Sequence, residues 1–150
     1  MLVMDCAKNP EFARAALAQM NMSYDSETFL KCVEEGNTAA VKLFLAAGMP
    51  LDARTKYDAT AFMLAAHNGH REILELLLDA GVNVNAASED GVTPLMAAAH
   101  QGHTAVVKLL LARGAGVHAT SNSGLTALLL AQDNGNPEVI RLLRDAGAGK

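Results

Sequence analysis

Short apolar clusters with helical spacing recur along the chain, and small turn-forming residues separate them. In the best-formed example, residues 94–101 are predicted to form a helix that begins after Thr93 and ends at Gly102 in a left-handed conformation. Residues 106–111 predict a second helix with a broad apolar face, which we expect Gly114 to end. The following loop, up to position 124, is rich in Gly, Ser and Asn, and this composition predicts an extended segment with a β-turn at its tip.

This helix, turn, helix and loop unit recurs with a fixed period. Glycines keep a spacing of 33 residues in two series, at positions 36, 69, 102 and 135 and at positions 48, 81, 114 and 147. Helices of about nine residues are unstable alone in water, so each unit must pack on its neighbours. The period divides the chain into four repeats, at residues 22–54, 55–87, 88–120 and 121–150, preceded by an N-terminal capping helix and lead-in over residues 1–21.

Within each period the residues resemble the ankyrin repeat, whose pattern is T-P-L-H-x-A, then G-H, an L-L-L helix and a G-A-D-V-N-A exit. Residues 93–98 have the sequence Thr-Pro-Leu-Met-Ala-Ala, residues 102–103 are Gly-His, and residues 81–86 are Gly-Val-Asn-Val-Asn-Ala. The resemblance implies an all-α solenoid of stacked helix-turn-helix units with β-turn loops. It also implies a non-catalytic protein–protein interaction scaffold that binds its partner through the concave face.

The chain departs from the family at the histidine of T-P-L-H. Leu30, Met63, Met96 and Leu129 occupy this position. In the family this histidine connects neighbouring loops through hydrogen bonds, so the apolar replacements are expected to leave these loops looser. We expect the row to fill the core, although partial exposure would make it an adaptable apolar strip.

Both ends of the chain have features of a capped stack. A helix is predicted to follow the Asn9 cap and to run to about Met20, with Phe12 and Ala16 on the same face as Met20, where they would cover the first repeat. In the last repeat, Arg144 replaces the third leucine of the L-L-L run. A polar outer face is typical of a terminal repeat.

Composition and charge narrow the class of protein. Of the 150 residues, 51% are hydrophobic, which is enough for one folded domain, and the net charge of −4 disfavours nucleic acid and anionic lipid as partners. The two thiols, Cys6 and Cys32, do not make a disulfide framework, and Cys32 is expected to be a small buried side chain. Neither a signal peptide nor a membrane span is recognisable, so a cytoplasmic location is expected.

Each candidate catalytic or cofactor site in the sequence lacks a feature that its chemistry requires. The G-x-G-x-x-A pattern at residues 114–119 lacks the preceding strand and following helix that a dinucleotide fingerprint requires. His70 and His103 occupy the family's G-H position, which favours a structural role. His67 and His100 could share a metal ion if repeats stack about 10 Å apart, but two imidazoles alone make a poor zinc site. The sequence thus predicts no catalytic residue, no metal and no cofactor.

We expect a partner protein to contact exposed tip residues and exposed ends of the first helices. Tyrosine is enriched at binding hot spots; the alternative interpretation is that Tyr24 and Tyr57 pack along the turns. The predicted contact residues are Lys56, Tyr57, His67, Asn68, Glu89, Asp90, His100, Gln101, Asn122 and Asp133.

Two other functions stay open at this point. The chain could be a regulatory or targeting module of a larger enzyme or signalling protein, or a metal-binding or ligand-binding protein that uses His67 and His100. As an interaction scaffold the protein is expected to be a monomer.

Overall fold

The computed structural model describes residues 9–149, and nine α-helices form within this range. Cys6, the rest of the lead-in up to residue 8, and Lys150 lie outside the described residues. The chain divides into two compact units, which meet between Ala61 and Phe62. The predicted all-α class of helix-turn-helix units is confirmed.

The first unit contains α1 (Pro10–Gln19), α2 (Ser26–Glu35) and α3 (Thr38–Ala46), and both α1 and α2 pack against α3. A side chain caps each N-terminus, as the sequence predicts for α1: Asn9 Oδ1 accepts the N–H groups of the first turn of this helix. Asp25 Oδ1 accepts the Thr28 N–H at 2.7 Å, and this hydrogen bond lowers the pKa of the Asp25 carboxyl.

The buried face of α1 differs from the predicted one. Ala13 and Leu17 are fully buried, whereas Phe12 and Met20 are largely exposed and Ala16 is only partly covered. The predicted covering face is therefore wrong by a rotation of about one residue. Ala13 and Leu17 lie four residues apart on one side of the helix, and this is the side that is buried where α1 packs against α3. The larger apolar side chains misled the prediction.

The second unit contains three helix pairs. We call the first member of each pair a first helix and the other a second helix. α6 packs against α8 among the first helices, α7 packs against both α5 and α9 among the second helices, and α6–α7 and α8–α9 pack as pairs. The bounds are α4 (Ala61–Asn68), α5 (Arg71–Asp79), α6 (Pro94–Gln101), α7 (Thr104–Ala112), α8 (Ala127–Asn134) and α9 (Pro137–Asp145).

The predicted start and end of α6 are confirmed. Thr93 Oγ1 accepts the Met96 N–H at 3.2 Å, and Pro94 occupies the first turn, where its missing N–H leaves no helical bond unmade. Gly102 ends the helix with φ of 75°. α7 ends two residues before Gly114, which is also left-handed.

Each tip loop of the second unit is a tight turn closed by a serine. Ser88 donates its N–H to the Val92 carbonyl at 3.0 Å, and Ser121 makes the same bond to Leu125 at 2.8 Å. Each serine hydroxyl also accepts the N–H of the residue four positions on. The turns that the sequence predicts between repeats are therefore confirmed.

The tip loop of the first unit makes the same turn with a different residue at its strained position. Asp58 has φ of 63°, where the two turns of the second unit have glycine. Arg54 Nη1 donates to the Asp58 carboxylate at 2.7 Å, which helps to hold the turn. Left-handed backbone costs a residue with a Cβ about 1 kcal/mol or more, and Asp is more tolerant than most.

Replacing Asp58 with glycine is expected to give a more stable protein than replacing it with alanine, by about 1 kcal/mol. Both substitutions remove the ion pair to Arg54, so the difference between them reports the backbone strain. Urea unfolding followed by circular dichroism measures it. Asp52 is exposed and has no left-handed backbone, so the same two substitutions there should favour alanine. An alanine variant at Asp58 that equals the glycine variant would contradict the strain.

Candidate functional site

A histidine side chain links two neighbouring helix pairs of the second unit. His103 Nε2 lies 2.9 Å from the main-chain oxygen of His67, and since a carbonyl only accepts, Nε2 carries the proton and donates it. The bond holds the C-terminal end of α4 against the start of α7. A Cβ added to Gly69 would lie 2.8 Å from the His103 ring, so the close approach depends on glycine at this point. The predicted structural role of His103 in the G-H position is confirmed.

Asn136 has the same role one repeat later. Its Nδ2 donates to the Gly102 carbonyl at 3.3 Å, while its Oδ1 accepts two N–H groups in the first turn of α9. One side chain therefore caps a second helix and bonds to the preceding helix pair. The first helices, whose exposed ends carry predicted contact residues, are held in register by these bonds.

The tips of the second unit are joined to each other as well. Asn122 Nδ2 donates to the Glu89 carbonyl at 2.9 Å, and the Asn122 N–H donates to the Asp90 carbonyl at 2.8 Å. Sequence reasoning included Asn122 as a contact residue and missed this bond, because asparagine in a loop ordinarily indicates only a turn. The register of Asn122 one period after Glu89 was the signal that could have revealed it. The bonds fix the backbone that carries two exposed carboxylates.

Nine of the ten predicted contact residues are exposed. The exception is Asn68, which is partly buried and donates its Nδ2 to the Leu64 carbonyl at 2.9 Å. Lys56 and Tyr57 belong to the tip of the first unit, where the Lys56 ammonium lies 5.0 Å from the Tyr57 ring centre. The other eight belong to the second unit and occupy its tips and the C-terminal ends of its first helices.

The two tyrosines have different environments. Tyr24 stacks on Phe44 with ring centres 6.1 Å apart and donates its hydroxyl to the Ala47 carbonyl at 2.9 Å. It therefore packs along its turn, which was the alternative interpretation. Tyr57 is 79% exposed. Tyr24 is 36% exposed, so of the two Tyr57 offers the larger aromatic surface to a partner.

The basic residues of the second unit are confined to one of its sides. The basic residues between positions 62 and 149 all lie in or next to second helices. Three of them pair with carboxylates, as Arg71–Glu75 at 3.2 Å, Arg113–Asp79 at 3.6 Å and Lys108–Glu138 at 3.7 Å. Such exposed pairs add little stability. The tips and first helices of this unit carry Glu89, Asp90 and Asp133 and no Lys or Arg, so this side has a negative charge.

The apolar row in the T-P-L-H position is buried except at its last member. Leu30 and Met63 are both buried, and Met96 is 1% exposed, so the prediction that this row fills the core is confirmed for these three. Leu129 is 47% exposed. The physical reason is that α8 covers α6, whereas α6 and α9, on which α8 packs, leave Leu129 uncovered.

Among the described residues, few side chains are arranged as a catalytic, metal or cofactor site requires. Within residues 9–149 no three His, Cys, Asp or Glu side chains are grouped so as to hold a metal ion. Cys32 is buried as predicted, and burial raises the pKa of its thiol. Residues 114–119 lie between α7 and the last tip, where the Gly116 N–H donates to Asn85 Oδ1 at 2.8 Å. Within residues 9–149, no helix has both the length and the apolar character needed to cross a membrane.

Paired short helices, left-handed glycines between them and hydrogen-bonded tips define a helix-turn-helix repeat protein. A family model for ankyrin repeats in three copies matches residues 3–88 and 80–150, so the chain belongs to the ankyrin repeat family. A search of curated proteins finds no match. Ankyrin repeats are generally protein–protein interaction modules and typically non-catalytic, which places binding to another protein ahead of enzymatic activity.

Proposed function

We propose that this protein is a non-catalytic scaffold that binds a partner protein through the concave face of its repeats, the side formed by the tips and the first helices. The observation that carries the proposal is the set of side-chain bonds that holds this side in place, above all His103 to the His67 carbonyl and Asn122 to the Glu89 carbonyl. We assign the repeats to residues 22–54, 55–87, 88–120 and 121–150, and the protein to the cytoplasm as a monomer.

A surface held in this way loses little conformational entropy when a partner docks. Hydrogen bonds fix the backbone, while the side chains of His67, Glu89, Asp90 and His100 point outward and are exposed. None of these side chains covers the core, so removing one of them does not expose core residues. The surface can therefore make polar contacts with a partner without rearranging.

Tyr57 is the contact residue with the largest expected contribution. Tyrosine combines a large apolar ring with one hydrogen-bonding group and has few rotatable bonds, which makes it frequent at hot spots. Its ring is exposed on a tight turn whose backbone Thr55 and Arg54 hold in place. The remaining proposed contacts are Lys56, His67, Asn68, Glu89, Asp90, His100, Gln101, Asn122 and Asp133.

Replacing Tyr57 and His100 together with alanine is expected to weaken partner binding by about 2 kcal/mol or more, which is roughly thirtyfold in Kd. The melting temperature should stay nearly unchanged, because both side chains are exposed. The partner is first isolated from native lysate and identified by mass spectrometry, and the purified pair is then titrated by calorimetry.

The matched control for this prediction replaces Glu72 and Lys108 with alanine. Both are exposed, but they lie on second helices, and their loss should leave the affinity within about twofold. Unaltered affinity of the Tyr57 and His100 variant for the identified partner would reject the proposed surface.

A further inference from the structure

The outer side of α8 resembles a repeat–repeat interface, and no helix within residues 9–149 packs along it. Met96 on α6 and Leu129 on α8 occupy equivalent positions 33 residues apart and have similar volumes. Met96 is 1% exposed and Leu129 is 47% exposed. Both helices pack against the second helix of their own pair, so the difference comes from α8, which covers α6.

Two further comparisons lead to the same surface. A Cβ added to Gly102 would lie 3.0 Å from Asn136 Nδ2, and one added to Gly91 would lie 3.1 Å from Asn122 Oδ1. The equivalent glycines of the last repeat, Gly135 and Gly124, have nothing within 4 Å of such an atom. The helix, the interhelical turn and the tip of the last repeat thus all expose positions that are covered in the preceding repeat. Its geometry fits a helix lying along α8 as α8 lies along α6.

The chemistry of this surface defines the face that such a helix must present. Leu125, just before the N-cap of α8, is 41% exposed, and Leu129 follows in the first turn. Asp133 lies one turn beyond Leu129 on the same side of the helix. Gln132 occupies the position at which Ala66 and Ala99 are fully buried. The surface is therefore apolar at one end and polar with negative charge at the other.

We propose that the exposed side of α8, formed by Leu125, Leu129 and Asp133, binds an amphipathic helix of a partner protein. The apolar face of that helix packs on the two leucines, and a Lys or Arg at its edge lies near Asp133. Charge complementarity selects a basic edge, since no Lys or Arg occurs on the tips and first helices between positions 62 and 149. This inference rests on the proposed function, because it names the chemistry of the partner at the last repeat.

The test uses two fluorescent amphipathic peptides of about 16 residues, long enough to form a helix on binding. One is built from Leu and Lys and the other from Leu and Glu in the same order. Fluorescence anisotropy measures their affinity for the full chain and for the double variant Leu125→Gln with Leu129→Gln. Both leucines are exposed, so the double variant should fold. The matched control is Phe12→Gln with Met20→Gln, which removes two other exposed apolar side chains.

We expect the Leu/Lys peptide to bind the parent at least about tenfold more tightly than the Leu/Glu peptide. The leucine double variant should lose about tenfold or more in affinity, while the Phe12 and Met20 variant changes less than about twofold. Asp133→Lys should weaken the Leu/Lys peptide more than Asp145→Lys, which makes the same change of charge at the end of α9.

Several results would overturn the proposal. They are failure of the Leu/Lys peptide to bind, equal losses in the leucine variant and its control, or a preference for the Leu/Glu peptide. Sedimentation equilibrium of the parent tests a second copy of the chain as the occupant, and a dimer that the leucine substitutions abolish would also overturn it. These outcomes are separate from failure of the proposed function, which the Tyr57 and His100 variant tests with the native partner.

Discussion

Replacing Met96 with alanine is expected to lower the free energy of unfolding by about 3 kcal/mol, whereas Leu129→Ala should change it by less than about 0.5 kcal/mol. The two residues occupy the same position of successive repeats. Met96 is fully enclosed, so its truncation leaves a cavity in addition to the lost transfer free energy. Leu129 is open to solvent over nearly half its surface and leaves no enclosed cavity. The sequence has no tryptophan, so far-UV circular dichroism in urea is the measurement.

The pair of substitutions contains its own control, because the chemistry of truncation is similar and only the covering helix differs. Equal destabilisation by Met96→Ala and Leu129→Ala would show that Leu129 is buried in solution. It would then follow that something covers α8, and the dependence of the Leu129→Ala effect on protein concentration would reveal whether it is another copy of the chain.

The period of the repeat was accessible from the sequence because glycine at a left-handed position has few substitutes. Gly102 is an example: it ends α6 at the predicted residue, and Thr93 begins it. A helix boundary of this kind depends on local backbone sterics and on capping hydrogen bonds, both of which the adjacent residues determine. The same holds for the serine-closed tips. The helix pairs and turns were therefore predictable one period at a time.

The orientation of side chains within that framework was less accessible, because it depends on residues distant in the chain. The large side chain of Phe12 suggested the buried face of α1, but the buried side is that of Ala13 and Leu17. Tyr24 and Tyr57 occupy equivalent positions, yet only Tyr24 finds an aromatic neighbour and a carbonyl acceptor. Periodicity treats such positions as equal. Their neighbours, which differ from repeat to repeat, decide how far each one is exposed.

The candidate site was likewise predictable in part, where adjacent residues determine it, and unpredictable where distant residues do. Exposure of the tip and helix-end residues followed from the register of the repeat. The bond from Asn122 to the Glu89 carbonyl did not, because it joins residues 33 positions apart through a side chain that also favours turns. The positions of Lys and Arg were present in the sequence. Their confinement, in the second unit, to second helices and the residues next to them became clear only when each was assigned to a first or a second helix.

Gly69→Ala is expected to destabilise the protein by about 2 to 3 kcal/mol and Gly135→Ala by about 1 kcal/mol. The backbone strain is the same in both, since φ is 76° at Gly69 and 74° at Gly135. A methyl group at Gly69 would meet the His103 ring at 2.8 Å, whereas at Gly135 it would meet nothing within 4 Å. The His103 ring must then turn away, and its bond to the His67 carbonyl is lost.

Urea unfolding of the two single variants measures the difference, and a double-mutant cycle identifies its cause. In a His103→Ala background the ring is absent, so Gly69→Ala should cost no more than Gly135→Ala does in the parent. Gly102→Ala should fall between them, because the groups it meets are the flexible ends of Asn136 and Asn134 and not a ring. A cost at Gly69 that persists without His103 would mean that left-handed backbone alone explains this glycine. The histidine link would then not be what holds the two helix pairs in register.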